Sequence, residues 1–192
     1  MLQRGGQSIF DGFSVNDTVI AFFPCTRFED QNILNVRGLN PGMKKWSISQ
    51  KLKYSIEKVE EMSKFYGLIS KLVVVCIEKQ IPLIIENPYS TQHFLTRYWP
   101  LQPGVIDNDR RINGDSYKKP TQYWFINCNP KMNILFEPIQ EVKFKTIKTE
   151  RNQVERSMIQ PQYANRFLRQ YVLPKNKNDL NVFTIGEEQC EI

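Results

Sequence analysis

Three places in the 192-residue sequence carry side chains able to do chemistry. Cys25 follows Pro24 at the end of the apolar run Thr18 to Phe23. A thiol there can act as a nucleophile once a positive neighbour supports its thiolate, and Arg27 is the candidate neighbour. The plainer alternative is a small buried hydrophobe. Glu86 follows a second apolar run, Ile81-Pro82-Leu83-Ile84-Ile85, and precedes Asn87-Pro88. A carboxylate abutting a buried strand is costly unless it sits at the strand mouth or has a dedicated partner. A carboxyl whose pKa is raised by such a site can protonate a ring nitrogen; a turn or cap carboxylate is the alternative. The third place is Asp109 to Thr121, where Arg110, Arg111, Lys118 and Lys119 flank Gly114-Asp115. Paired basic side chains near a tight turn can hold phosphates, although a solvated loop has the same composition. His93 reads as a surface or capping residue rather than a base. Trp46, Trp99 and Trp124 read first as packing residues and only second as stacking platforms for bases.

Other chemistries lack their parts. The sequence has no glycine-rich loop ending in Lys-Ser or Lys-Thr and no GxGxxG after a strand, which argues against both common nucleotide cradles. The deaminase zinc pattern fails because position 28 is Phe28. Four dispersed cysteines and one histidine predict no metal site and no disulfide framework, hence a reduced, cytoplasmic protein. No secretory signal or membrane-length apolar run is expected. Twenty-six Lys and Arg against 20 Asp and Glu leave a charge of +6, which permits a polyanionic partner without requiring one.

The elements that must position these residues follow from periodicity. Residues 18–23 and 82–86 read as buried strands, and residues 121–126 as a third. Between the first two, Ile56, Val59, Met62, Tyr66, Ile69, Val73 and Cys76 recur every three or four positions, predicting a helix over about 52–79. Gly67, within that helix, marks close packing or a bend. A short helix is expected from Gln92 to Tyr98 and a terminal one from Gln162 to Tyr171. Residues 26–50 read as a long loop, and 101–120 and 131–155 as irregular basic loops. A flexible segment over 1–16 and a polar tail over 174–192 flank a single domain at 17–173. The strand–helix–strand order predicts an α/β fold with a mostly parallel, Rossmann-like sheet flanked by helices.

Phe23-Pro24-Cys25, then a loop and helix, then Ile85-Glu86-Asn87-Pro88, resembles the catalytic half of cytosine-C5 DNA methyltransferases. The chain is most similar to the short Dcm-like members of phages and mobile elements. Gly114-Asp115 with Lys119-Pro120-Thr121, and Glu155 to Pro161 before the last helix, extend the resemblance from Asp17 to Val172. It implies Cys25 as nucleophile and Glu86 as the residue on cytosine N3. Pro24, Thr26, Arg27, Asn87, Pro88, Lys118, Lys119 and Thr121 are then substrate-binding, and Arg110, Arg111 and Arg156 contact the nucleic-acid backbone. The family also implies S-adenosylmethionine, DNA and no metal.

The departures are equally specific. The family opens with Asp-x-Phe-x-Gly-x-Gly on its first strand, and Asp11-Gly12-Phe13-Ser14 lacks those glycines. Thr26 stands where classical members have Gln. The resemblance therefore implies a cytosine methyltransferase-like protein that methylates only with a partner supplying the cofactor half. The alternative is an inactive nucleic-acid-binding or protein-interaction module on the same scaffold. A sheet of this size leaves an edge strand exposed, so a homodimer or a second chain is expected.

Overall fold

The computed structural model describes residues 3–4, 7–8, 12–23, 27–146 and 158–174. Two short strands, β1 (Gln3–Arg4) and β2 (Gln7–Ser8), pair antiparallel near the start. The main sheet holds β3 (Val19–Phe22), β4 (Leu83–Pro88), β5 (Val105–Asp107) and β6 (Thr121–Ile126), in the order β3-β4-β6-β5.

The helix that joins β3 to β4 is α2, Ile48–Glu78. It begins earlier than its apolar period suggests because Ser47 and Gln50 form a reciprocal capping box. The Gln50 amide donates to Ser47 Oγ at 3.3 Å and the Ser47 amide to Gln50 Oε1 at 2.8 Å. The helix stops at Gln80, whose φ of 56° is left-handed, and the Ile81 amide bonds back to the Cys76 carbonyl at 2.9 Å. Ile69, Val73 and Cys76 lie against Leu83, Ile85, Trp124 and Ile126 of the sheet in one core. Each such aliphatic side chain, fully buried, stabilises the fold by roughly 1.5–3 kcal/mol. Trp99 and Trp124 meet edge-on in this core at 5.1 Å, the packing use expected of them. On the opposite sheet face, Ile84, Val105 and Tyr123 pack against Tyr163 and Phe167. Those two come from α4, Pro161–Phe167, which continues as one π-helical turn, Leu168–Val172.

The sheet itself corrects the expectation of a mostly parallel, Rossmann-like layer. Only β3 and β4 pair in parallel; β4 with β6 and β5 with β6 are antiparallel, so the sheet is small and mixed. The cause lies in the stretch read as a turn-rich loop. After β4, the short α3 (Phe94–Tyr98) and the residues behind it carry the chain back along the sheet, and it then forms β5 at the far edge. A gap is left between β4 and β5. The chain fills it directly from the end of β5, which forces β6 to run in the opposite sense.

Two loops are more ordered than their composition suggests. Residues 26–50 contain α1 (Asp30–Val36) and a 3-10 turn at Pro41–Met43. Residues 101–120 contain β5 and a 3-10 turn at Arg110–Asn113. Among the described residues no helix is long and apolar enough to cross a membrane.

Candidate active site

Strands β3, β4 and β5 all point the same way, so the segments that follow them gather at one end of the sheet. In open α/β sheets that end carries the ligand crevice. Glu86 lies there, paired in register with Phe22 on one side and Tyr123 on the other. Its side chain is only 13% exposed, and burial pushes the carboxyl above its ordinary range. Arg110 and Lys119 pull the other way. Desolvation dominates this balance, so the carboxyl holds its proton more tightly than an exposed glutamate does.

Arg110 explains why the opposing charge is weak. Its Nη1 stands 4.0 Å from Glu86 Oε1, too far for a direct bond, while its Nη2 is ion-paired with Asp115. Both partners are nearly fully buried. The guanidinium also lies 4.4 Å over the Tyr163 ring. Gly114 makes this possible. With φ of +93° it turns the chain so that the Asp115 amide reaches the Arg110 carbonyl at 3.1 Å. A Cβ there would meet the Gln162 side chain at 2.8 Å.

A second polar layer supports the first. Tyr123 and Tyr163 hydroxyls lie 2.8 Å apart, and the Tyr163 hydroxyl donates to Asp107 Oδ2 at 3.1 Å. Burial drives both phenols above their ordinary range, so both stay neutral. The sequence does not announce this network, because Tyr123, Tyr163 and Asp107 look like ordinary core and turn residues. Its one legible signal was alternation: Tyr123 is two residues from Phe125 on the same strand face.

The remaining candidates separate. Pro24, Cys25, Thr26 and Arg156 lie outside the described residues. Arg27, expected to support the thiolate, places its Nε 3.2 Å from Glu61 and its guanidinium 5.7 Å over Phe65. Asn87 is completely buried, with neither amide atom hydrogen-bonded among the described residues. It follows Glu86 on β4 and leaves one donor and one acceptor without a partner among the described residues. Pro88 accepts a bond from Gln122 Nε2 at 2.8 Å, and the Thr121 hydroxyl donates to the Lys119 carbonyl at 2.9 Å. Those two residues are committed to local structure.

Arg110 and Arg111 were grouped as backbone contacts, and the structure separates them. Arg110 faces the interior. Arg111 is a third exposed and held by Asp109, whose carboxyl it keeps below the ordinary range. Lys118 is exposed beside it. His93 is not a surface residue: it is 1% exposed at the start of α3, and burial lowers its pKa to about 4. It lines a cleft of about 250 Å³ with Asp30, Pro88 and Ser90, and the Ser90 hydroxyl donates to Asp30 at 2.8 Å.

No group of three or more His, Cys, Asp or Glu among the described residues could hold a metal ion. No strand among the described residues is followed by a glycine-rich turn. No family model, curated protein or solved structure matches the chain.

Proposed function

We propose that this chain engages a cytosine ring of DNA as the base-binding half of a cytosine-C5 methyltransferase-like protein. The reading rests on Glu86, a buried carboxyl held toward its protonated form at the mouth of β4, level with the strand that leads into Pro24-Cys25. In this role the Cys25 thiolate adds to C6 of the ring, forming a carbon–sulfur bond. The electron pair displaced from the C5–C6 bond moves into the ring, and Glu86 donates its proton to N3. The pairing of Arg110 with Asp115 limits how far its charge favours the ionised carboxylate. In this reading a second chain supplies the cofactor half and its methyl donor.

An oligonucleotide with 2-pyrimidinone at the target position tests this. Lacking the 4-amino group, the ring is more electrophilic at C6, and a covalent adduct at Cys25 should be visible by intact mass. Cys25→Ala should abolish it. Absence of any adduct in the parent chain contradicts the proposal.

One observation favours the second reading, a binding module without catalysis. Arg27 is already paired with Glu61, so its charge is partly spent before it can support a thiolate. That reading keeps Arg111 and Lys118 as phosphate contacts and predicts salt-sensitive binding with no adduct.

A further inference from the structure

The long helix α2 has a second apolar face whose large side chains are left exposed by the described residues, with only Ser70 touched, by Trp99. Ile48, Leu52, Ile56, Val59, Ser63, Gly67, Ser70, Val74 and Ile77 recur at three- and four-residue steps, beside the buried face rather than on it. The six large side chains in this row are 75, 59, 60, 41, 52 and 50% exposed, in that order. A row of this kind along a helix roughly 46 Å long is large enough for a stable interface.

Gly67 sits at the middle of the row. It costs the helix about 1 kcal/mol relative to alanine. Nothing among the described residues requires it: a Cβ built there meets none of their atoms within 4 Å, and α2 runs on without interruption. A glycine that serves no contact among these residues fits the close approach of another helix.

The charges along one flank say which helix. Lys53, Glu60, Lys71 and Glu78 are all exposed, and none makes an ion pair among the described residues. When two copies of one helix meet about a two-fold axis in antiparallel sense, the same flank of each comes together. With the axis close to residue 65, Glu60 faces Lys71 of the other copy and Lys53 faces Glu78. Each pair occurs twice. The same axis sets Leu52 opposite Ile77, Ile56 opposite Val74 and Ser63 opposite Gly67, so apolar meets apolar and small meets small. These pairings favour one register, against the single like-charge approach of Lys64, exposed on the same flank, to its own copy beside the axis.

We propose that α2 forms the contact of a two-fold symmetric homodimer, packed antiparallel on a second copy of itself across Gly67. The partner is this chain, and the surface is separate from the end of the sheet that holds Glu86. The two sites can therefore be occupied together.

The full-length chain should sediment as a dimer at micromolar concentration. Gly67→Gln adds bulk where the described residues leave open space, so circular dichroism should be unchanged while dimerisation weakens at least tenfold. Glu60→Lys should weaken the dimer likewise, and adding Lys71→Glu to it should restore assembly. A monomer at all accessible concentrations overturns the proposal. So does a dimer that withstands Gly67→Gln, since its contact would lie elsewhere, for example on the β3 edge.

Discussion

Phe22 and Glu86 stand opposite one another in parallel register on neighbouring strands. Phe22 is 59% exposed and Glu86 is almost covered, although both point to the same face of the sheet. The difference comes from β6, which covers Glu86 with Tyr123 and leaves the β3 edge open. Glu86 therefore keeps a small exposed fraction while desolvation raises its pKa.

The protonation preference of Glu86 has a sign that stability can read. Its folded pKa is raised, so the folded state holds the proton more tightly than the unfolded one. Stability from this group is complete below about 4.5 and falls as pH rises through the folded pKa. Glu86→Gln should remove that decline. Urea melts at pH 5 and pH 8 check it: the parent should lose more stability between them than the variant. Equal losses contradict the protonated assignment.

His93 acts in the opposite direction. Its folded pKa is about 4 against an ordinary 6.5, so the folded state must keep the ring neutral. Stability falls as pH drops from 6.5 toward 4, by roughly 3 kcal/mol at the acid end. His93→Gln should flatten the acid limb of the stability curve. An unchanged acid limb would show that the ring is not held neutral.

How much of this was legible in the sequence depends on what each element uses to declare itself. β3, β4, β6 and α2 are announced by apolar period and by breakers such as Pro82 and Asn127. β5 is not, because Val105-Ile106-Asp107 is three residues long and only Val105 is buried. Missing it hid the gap that reverses β6, and with it the mixed sheet. The Glu86 carboxyl was legible as a charge against a strand. Its relation to Arg110 was not: Arg110-Arg111 is one dipeptide in sequence, yet only Gly114 and Asp115 decide which arginine turns inward.

The buried ion pair should be the most fragile part of the site. Asp115→Asn leaves Arg110 uncompensated in the interior, at a cost of about 3–5 kcal/mol. Chemical denaturation should show that loss, and Arg110→Met with Asp115→Leu should recover much of it. If the single variant costs under about 1 kcal/mol, Arg110 is solvated and Asp115 does not hold it away from Glu86.

Nucleic-acid binding should depend on the exposed cations, not the buried one. Arg111→Ala and Lys118→Ala should weaken binding of an oligonucleotide similarly for different sequences and reduce the salt slope by about 1 each. Fluorescence anisotropy across a salt series measures this. No detectable binding at low salt removes DNA as the partner.

The proposed joint action of Cys25 and Glu86 on one cytosine can be tested by ring-hydrogen exchange, without a methyl donor. Addition of the thiolate at C6, with N3 protonated, makes C5 nucleophilic enough to take a proton from solvent. Loss of the original C5 hydrogen and of the thiolate then returns cytosine. A cytosine-containing oligonucleotide incubated with the chain in deuterated water should gain one deuterium at C5. Cys25→Ala should abolish the gain, and Glu86→Gln should slow it by 10²-fold or more, the scale of a positioned general acid. No deuterium above the level of the Cys25→Ala variant would contradict the account.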